Sequence, residues 1–456
     1  MRTPDPVNLR LTFVPRGGGA YVQWQSEVLG TRLSRLGLPL PAADLPLVLR
    51  ALDVLQDPAY PFARTSVQAR HFSFSEDERT RLVALDLWSE PGRVARDAPQ
   101  RLGRRLFAAL TSDESGRAAL ATVRDHATAL GQPLSLELCF TPSVARLAAL
   151  PWELLWDAGP APLLLGRGAP ASLVRRLELP QALPPPRQGQ GPLRILAITP
   201  HAGISPELRQ MERAARHEAF APLVAAGRAV ITEVAPADRA ALMRAIEAHG
   251  PPEVVHFYGH GRLRGSTGEL LLDDPLGAGW VPAGALVAAL GEVSLVTLFA
   301  CHGAGAGDPI FGSVAQALVA AGVPAVLGMQ LAVRAIAATR AATTIYAALA
   351  SGASLQDGVG RARRALFTEE QDAISWFVPA LFLRDRSGGP FRLRPLAPQI
   401  QATAPREPTT NQTVIASDGG RIRALHLQGH MGSQQTVIAA GGSISDVRIS
   451  HHKEQP

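Results

Sequence analysis

The chain has 456 residues, 46% of them hydrophobic and 18% charged, which allows two or three domains with substantial cores and excludes wholesale disorder. Its net charge of +6 comes almost wholly from arginines scattered singly along the chain, with Lys453 the only lysine, so composition drift explains the basic balance and no nucleic-acid partner is expected. Two cysteines make no disulfide framework, and neither an eighteen-residue apolar run nor a signal-like N-terminus is present, so the sequence predicts a cytoplasmic protein with no membrane contact.

Residues 7–14 alternate apolar and polar and predict a strand with one wet face; Gly17-Gly18-Gly19 turns it back into a second strand over 20–25. A helix is expected over 44–55, and helical periodicity covers 76–90 and 98–130, where Leu102, Leu106, Ala109 and Leu110 share a face. Residues 134–140 alternate again as a strand. Leu150-Pro151-Trp152-Glu153-Leu154-Leu155-Trp156 predicts a short helix with its apolar side chains turned to a core, a staple between layers. A strand over 171–176 follows, then a Pro/Gly/Gln-rich linker.

Beyond the linker the pattern becomes strand–helix alternation. Strands are expected at 193–198, 229–234, 253–257, 294–299, 325–329 and 380–383. Helices are expected at 205–226, 237–248, 282–290, 312–321, 331–350 and 354–366. Repeated βα units imply right-handed crossovers and a mostly parallel sheet covered by helices on both faces. The division this implies is an N-terminal α+β region over 1–180, a linker over 181–192, an α/β domain over 193–388, a second linker over 389–410 and a two-repeat β segment over 411–452.

Two of these strands end in reactive side chains. Val254 to Tyr258 runs into Gly259-His260-Gly261, and Leu295 to Phe299 runs into Ala300-Cys301-His302-Gly303. Functional groups of an open α/β sheet gather at the carboxyl ends of its strands, where His260 and Cys301 both fall. An imidazole beside a thiol raises its thiolate fraction, and acyl transfer needs N–H donors aimed at the developing oxyanion. Gly261 and Cys301 offer those backbone amides. His256 lies inside its strand and reads as a core histidine; His302 points away from Cys301 in an extended chain. No CxxC or HExxH spacing supports a metal site from these residues, and Thr199-Pro200-His201-Ala202-Gly203 lacks the glycine spacing of a phosphate loop, so neither metal nor cofactor is expected.

The ordered set of motifs resembles the CHAT domain family, bacterial caspase-like proteins of the clan CD cysteine peptidases, related to caspases and separase. The set comprises Leu150-Pro151-Trp152-Glu153-Leu154-Leu155, His256-Phe257-Tyr258-Gly259-His260-Gly261, Phe299-Ala300-Cys301, the 321–330 stretch, Tyr346 to Gly352, Ala362 to Leu366 and Trp376 to Leu383, and it covers roughly residues 130–385. The resemblance implies a caspase-hemoglobinase-like fold and a His260–Cys301 dyad cleaving peptide bonds through an acyl-enzyme. It also implies an effector in a bacterial defence or signalling system, with a protein substrate and a separate activating or sensor protein. Where caspases set basic residues around an acidic side chain and separase-like enzymes do the reverse, the candidates here are Asp308, Asp273 and Asp274 for a basic substrate side chain and Arg334 for an acidic one. Turn, cap or solvated roles compete at each. The rival reading is a catalytically silent CHAT-type scaffold.

In the tail, Gln412-Thr413-Val414-Ile415-Ala416 recurs as Gln435-Thr436-Val437-Ile438-Ala439, and Gly419-Gly420-Arg421-Ile422 is echoed by Gly441-Gly442-Ser443-Ile444. A two-rung β-solenoid, a homotypic assembly segment resembling the amyloid-type motifs of bacterial conflict systems, and a disordered tail are the readings the repeat leaves open.

Overall fold

The computed structural model describes residues 6–16, 19–89, 92–166, 171–178, 191–264, 267–274, 277–299, 311–369, 374–384, 389–390, 412–417, 421–422, 425–430, 435–440, 443–444 and 447–452. The chain divides into two compact units, Met1–Pro395 and Leu396–Pro456.

In the first unit the alternation of the N-terminus becomes β1 (Val7–Arg16), which buries Leu9, Leu11 and Phe13. It pairs antiparallel with β2 (Gly19–Ser26), and a strand that the sequence pattern does not signal, β3 (Gly30–Arg35), continues the ribbon. Helices α1 (Leu45–Val54), α2 (Ser66–Phe72) and α3 (Glu76–Ala84) follow. α3 opens on a capping box in which Ser75 and Glu78 each accept the other's backbone N–H. It stops short of the helix predicted over 76–90, because Asp86 takes a φ of 58° and turns the chain into β4 (Trp88–Ser89) and β5 (Arg93–Val94).

α4 (Ala98–Leu110) buries Leu102, Leu106, Ala109 and Leu110, the face its periodicity marks. α5 (Glu114–Leu130) starts at Asp113, whose carboxylate accepts the Gly116 N–H, and ends at Gly131 in the left-handed region. β6 (Leu134–Phe140) is buried along its whole length. The 150–156 stretch is a single 3-10 turn, Trp152–Leu154, rather than a longer helix. Trp152, Leu154 and Leu155 are wholly buried, and α4 comes so close that a side chain at Gly103 would collide with the Leu154 carbonyl. β7 (Ala171–Leu177) closes this half.

The second half alternates as its hydrophobic runs predict. β8 (Leu193–Ile198), α6 (Pro206–Ala225), β9 (Ala229–Val234), α7 (Arg239–His249) and β10 (Val254–Tyr258) are successive βα units. A small antiparallel sheet then interrupts the alternation: β11 (Gly261–Arg264), β12 (Thr267–Asp274) and β13 (Gly277–Pro282). α8 (Ala283–Leu290), β14 (Leu295–Phe299), α9 (Phe311–Ala320), β15 (Ala325–Met329), α10 (Ala335–Ala350), α11 (Leu355–Glu369) and β16 (Pro379–Leu383) complete the unit.

One sheet of eleven strands runs through both halves in the order β3-β2-β1-β6-β7-β16-β15-β14-β10-β8-β9. From β1 to β9 every neighbouring pair is parallel except β15 with β16. β10, β14, β15 and β16 are buried at every residue, as continuous apolar runs in a sheet covered on both faces should be. Alternate side chains of β10 feed two cores. Val254 and Tyr258 join Phe220 of α6 and Ile345 and Tyr346 of α10, whereas Val255 and Phe257 join Leu242 of α7, Leu286 of α8 and Val314 and Leu318 of α9. Among the described residues no helix is long and apolar enough to cross a membrane.

The second unit contains β17 (Gln412–Ser417), β18 (Arg421–Ile422), β19 (Leu425–His430), β20 (Gln435–Ala440), β21 (Ser443–Ile444) and β22 (Val447–His452). They pair parallel as β17 with β20, β18 with β21 and β19 with β22, so the two repeats form two rungs.

Candidate active site

β10 and β14 lie side by side, parallel, with Val254 opposite Leu295 and Tyr258 opposite Phe299. Past the last ladder pair the Gly259 N–H still donates to the Phe299 carbonyl at 3.2 Å. The extended run stops at Tyr258, so His260 is not on the strand face that the alternation would give it. Its ring instead turns toward the loop after β8, where Nε2 lies 3.1 Å from the Gly203 carbonyl oxygen. A carbonyl only accepts, so this hydrogen bond assigns the proton to Nε2 and leaves Nδ1 of the neutral ring as the nitrogen able to take one up.

Gly203 is needed for this approach. Its φ is +74°, and a Cβ there would lie 2.8 Å from His260 Cδ2 and 3.0 Å from Nε2. The loop that carries it is held by Asp273 at the end of β12. The Asp273 carboxylate accepts from the backbone N–H groups of His201 (2.9 Å), Ala202 (2.8 Å) and Ala237 (2.6 Å). Asp273 therefore stands behind His260, with its oxygens turned to main-chain amides. Asp274 ends β12 opposite Gly277 in β13. Gly261 begins β11 opposite Leu270, directly after His260, whose own carbonyl accepts the Leu271 N–H at 2.9 Å. The three-stranded insert is clamped by Arg262, which donates to Glu269 at 2.6 Å and stacks 4.1 Å from the Trp280 ring centroid.

Arg334 sits at the N-cap of α10 and lines a cavity of about 130 Å³ with Gln56, Tyr60, Arg93 and Arg96 from the N-terminal half; His260 is not among its lining residues. Cys301, His302 and Asp308 lie outside the described residues, as does the 181–190 part of the first linker.

His256 is a core residue. It is 4% exposed, lies 3.0 Å from Thr297 Oγ1 and 3.1 Å from the Tyr346 hydroxyl, and packs on the rings of Phe220 and Phe299. Burial, with the nearby Arg216 adding to it, lowers its pKa to about 3, so it is neutral. Beside it a cavity of about 380 Å³ opens between α6 and α10, lined by Tyr258, Phe299, Met211, Ile336 and the buried Glu212–Arg216 ion pair. The other cysteine, Cys139, is buried in β6, and burial pushes its thiol up to about 11, far from a reactive thiolate.

The polar hub of the fold lies farther along the sheet. Glu153 is fully buried and pairs with Arg175, which also bonds the Ala148 carbonyl at 2.6 Å. Arg363 of α11 reaches Glu153 at 3.3 Å, and Gln330, just after β15, donates to it at 2.9 Å. The hub joins the 150–156 turn to β7, β15 and α11.

Motif reasoning does not select Gly203; it selects Asp273 for a substrate contact rather than for its hold on the 201–202 loop, and it includes Gln330 and Arg363 without linking them to Glu153. A left-handed glycine two residues before the Ser205 N-cap of α6 was the one local signal for the first; the others depend on contacts far apart in sequence.

No curated protein matches the chain. Solved structures similar to it include the arginine-specific cysteine proteinase gingipain R, at 12% identity and TM-score 0.36 over 74% of each chain. Another is the complex of the pro- and mature domains of Porphyromonas gingivalis RgpB, at 11% identity and TM-score 0.34 over 73% of this chain and 75% of that one. The CHAT domain family model matches residues 100–387, a longer stretch than the 130–385 that the motifs delimit. With well over half its length matched, this chain belongs to the CHAT domain family.

Proposed function

We propose that the chain is a caspase-like cysteine endopeptidase using His260 as base and Cys301 as nucleophile. The observation that carries this reading is the parallel register of β10 and β14. Tyr258 and Phe299 are ladder partners, and His260 and Cys301 each follow two residues later. Two residues of chain reach at most about 7 Å, so this register is compatible with the two side chains meeting.

In the reaction, Cys301 gives its thiol proton to His260 Nδ1 and the sulfur attacks the scissile carbonyl. The oxyanion is met by the N–H groups of Gly261 and Cys301. Collapse expels the amine, which takes the proton from His260; water activated by the same imidazole then hydrolyses the thioester. Asp308 and Asp274 remain candidates for a basic substrate side chain and Arg334 for an acidic one. Asp273 acts here by holding the loop behind His260 as well as by any contact with substrate. Family membership makes an effector role in bacterial defence or signalling, switched on in the cytoplasm by a separate protein, the reading that fits best.

A peptide carrying an electrophilic warhead tests the dyad. Labelling should map to Cys301, vanish in Cys301→Ala and fall sharply in His260→Ala; Cys139, buried with a raised pKa, gives no competing adduct. Failure of Cys301 to react in the wild type, with or without cell extract as a source of activator, would leave the scaffold reading in its place. A proteome-wide comparison of cleavage between wild type and Cys301→Ala would then identify substrates.

A further inference from the structure

The C-terminal unit pairs with itself in register. Gln412, Thr413, Val414, Ile415 and Ala416 lie opposite Gln435, Thr436, Val437, Ile438 and Ala439, identical residues at every position. Ile422 lies opposite Ile444, Leu427 opposite Ile449 and His430 opposite His452. Among the described residues each of the three sheets has only two strands, so every strand keeps one edge whose N–H and C=O groups have no ladder partner. Two-stranded sheets are marginal alone; three or more strands give independent stability. Strand edges that stay single in natural proteins are guarded by lysine, proline or inward-facing charge. The six strands contain no Pro, Lys, Asp or Glu, and Arg421 and Arg448 are their only arginines.

We infer that the open edges are filled by a second copy of this chain, rung upon rung, with the second repeat of one copy pairing with the first repeat of the next. The register that joins β17 to β20 within a chain is repeated between chains, because the outer edge of β20 carries the sequence that β17 already pairs with. The contact is head to tail: one face is used from each copy and an equivalent face is left open. Such an interface does not close, and it propagates into a filament rather than a dimer. Parallel strands stacked about 4.8 Å apart would give each copy a rise of about 9.5 Å. The inference rests on the second unit alone and is independent of the peptidase reading.

The test uses the full chain in the Cys301→Ala background, which leaves only buried Cys139 as a native thiol. Purified protein should form filaments with a cross-strand reflection near 4.8 Å. Spin labels at Thr413→Cys should report a nearest neighbour about 9.5 Å away between copies. Mixing Thr413→Cys and Thr436→Cys copies should bring that distance to about 4.8 Å. A chain that sediments as a monomer or a closed dimer at all concentrations overturns the inference. A 413-to-413 spacing near 4.8 Å, meaning like rungs stacked on like, also overturns it. Ile438→Pro should abolish assembly by removing a ladder N–H. If that variant merely unfolds the rung, the label distances still decide the question.

Discussion

Gly203 combines a φ of +74° with a carbonyl oxygen that accepts a hydrogen bond from His260 Nε2, 3.1 Å away. In Gly203→Ala the left-handed backbone would cost about 1–2 kcal/mol and the new methyl would press on the imidazole. Cys301 labelling should slow by at least about tenfold, since misplaced catalytic groups lose rate steeply, while circular dichroism stays unchanged. Labelling at the wild-type rate would show that the Gly203 contact does not matter to the proposed role of His260. His256 makes a separate prediction. Unfolded, it binds a proton below its ordinary value of 6.5; folded, it refuses one until about pH 3. Stability must therefore fall as the pH drops from about 6.5 toward 3, by up to roughly 1.4 kcal/mol per pH unit from this group. Urea midpoints between pH 7 and 4 should decline less steeply in His256→Gln; equal slopes would assign the acid sensitivity to other groups. At this scale the sequence was half legible. His260 and Cys301 stand out because each follows an apolar run among glycines. Gly203 does not, and Asp273 reads only as a substrate candidate, because their contacts with His260 and with the His201 N–H span 57 and 72 residues.

The 150–156 turn was legible as a staple from its tryptophans and leucines, but Glu153 between them has the larger role. Its partners Arg175 and Arg363 are 22 and 210 residues away, and both are buried. Burial first, and then the neighbouring Arg175, lowers the Arg363 pKa to about 10 against the opposing pull of Glu153. Removing the carboxylate in Glu153→Ala leaves two guanidinium groups buried with less compensation, which should cost about 3–5 kcal/mol in chemical denaturation. A loss under about 1 kcal/mol would mean that Gln330 and the main-chain carbonyls suffice for both arginines. Elements with long apolar periods were read correctly. β3, β11 and β13 were missed because their stability comes from cross-strand partners rather than from their own pattern. Arg262 on Glu269 and Trp280 is one such case.

For the whole molecule, the linker at 181–192 suggests a seam, yet one hydrogen-bonded sheet spans the N-terminal ribbon and the βα half. β16 makes the join: it lies antiparallel to β15 and beside β7, which places the last strand of the unit between its two halves. No local pattern encodes an insertion of that kind. The two-unit division predicts that deleting 411–456 leaves electrophile labelling of Cys301 intact while removing assembly; a truncated chain that still assembles would place the contact in the larger unit.

The two parallel rungs also set a length scale. A compact unit of this size has a radius of gyration of about 21 Å and so a width of roughly 55 Å. Copies joined every 9.5 Å or so cannot place such bodies in a single column. The proposed filament would therefore require the larger units of neighbouring copies to spread out, crowded at millimolar local concentration whatever the bulk amount of protein. The interval between residues 390 and 412, which can span up to about 70 Å when extended, is long enough to permit that spread. Shortening it should oppose filament growth before it affects the chemistry of a single chain.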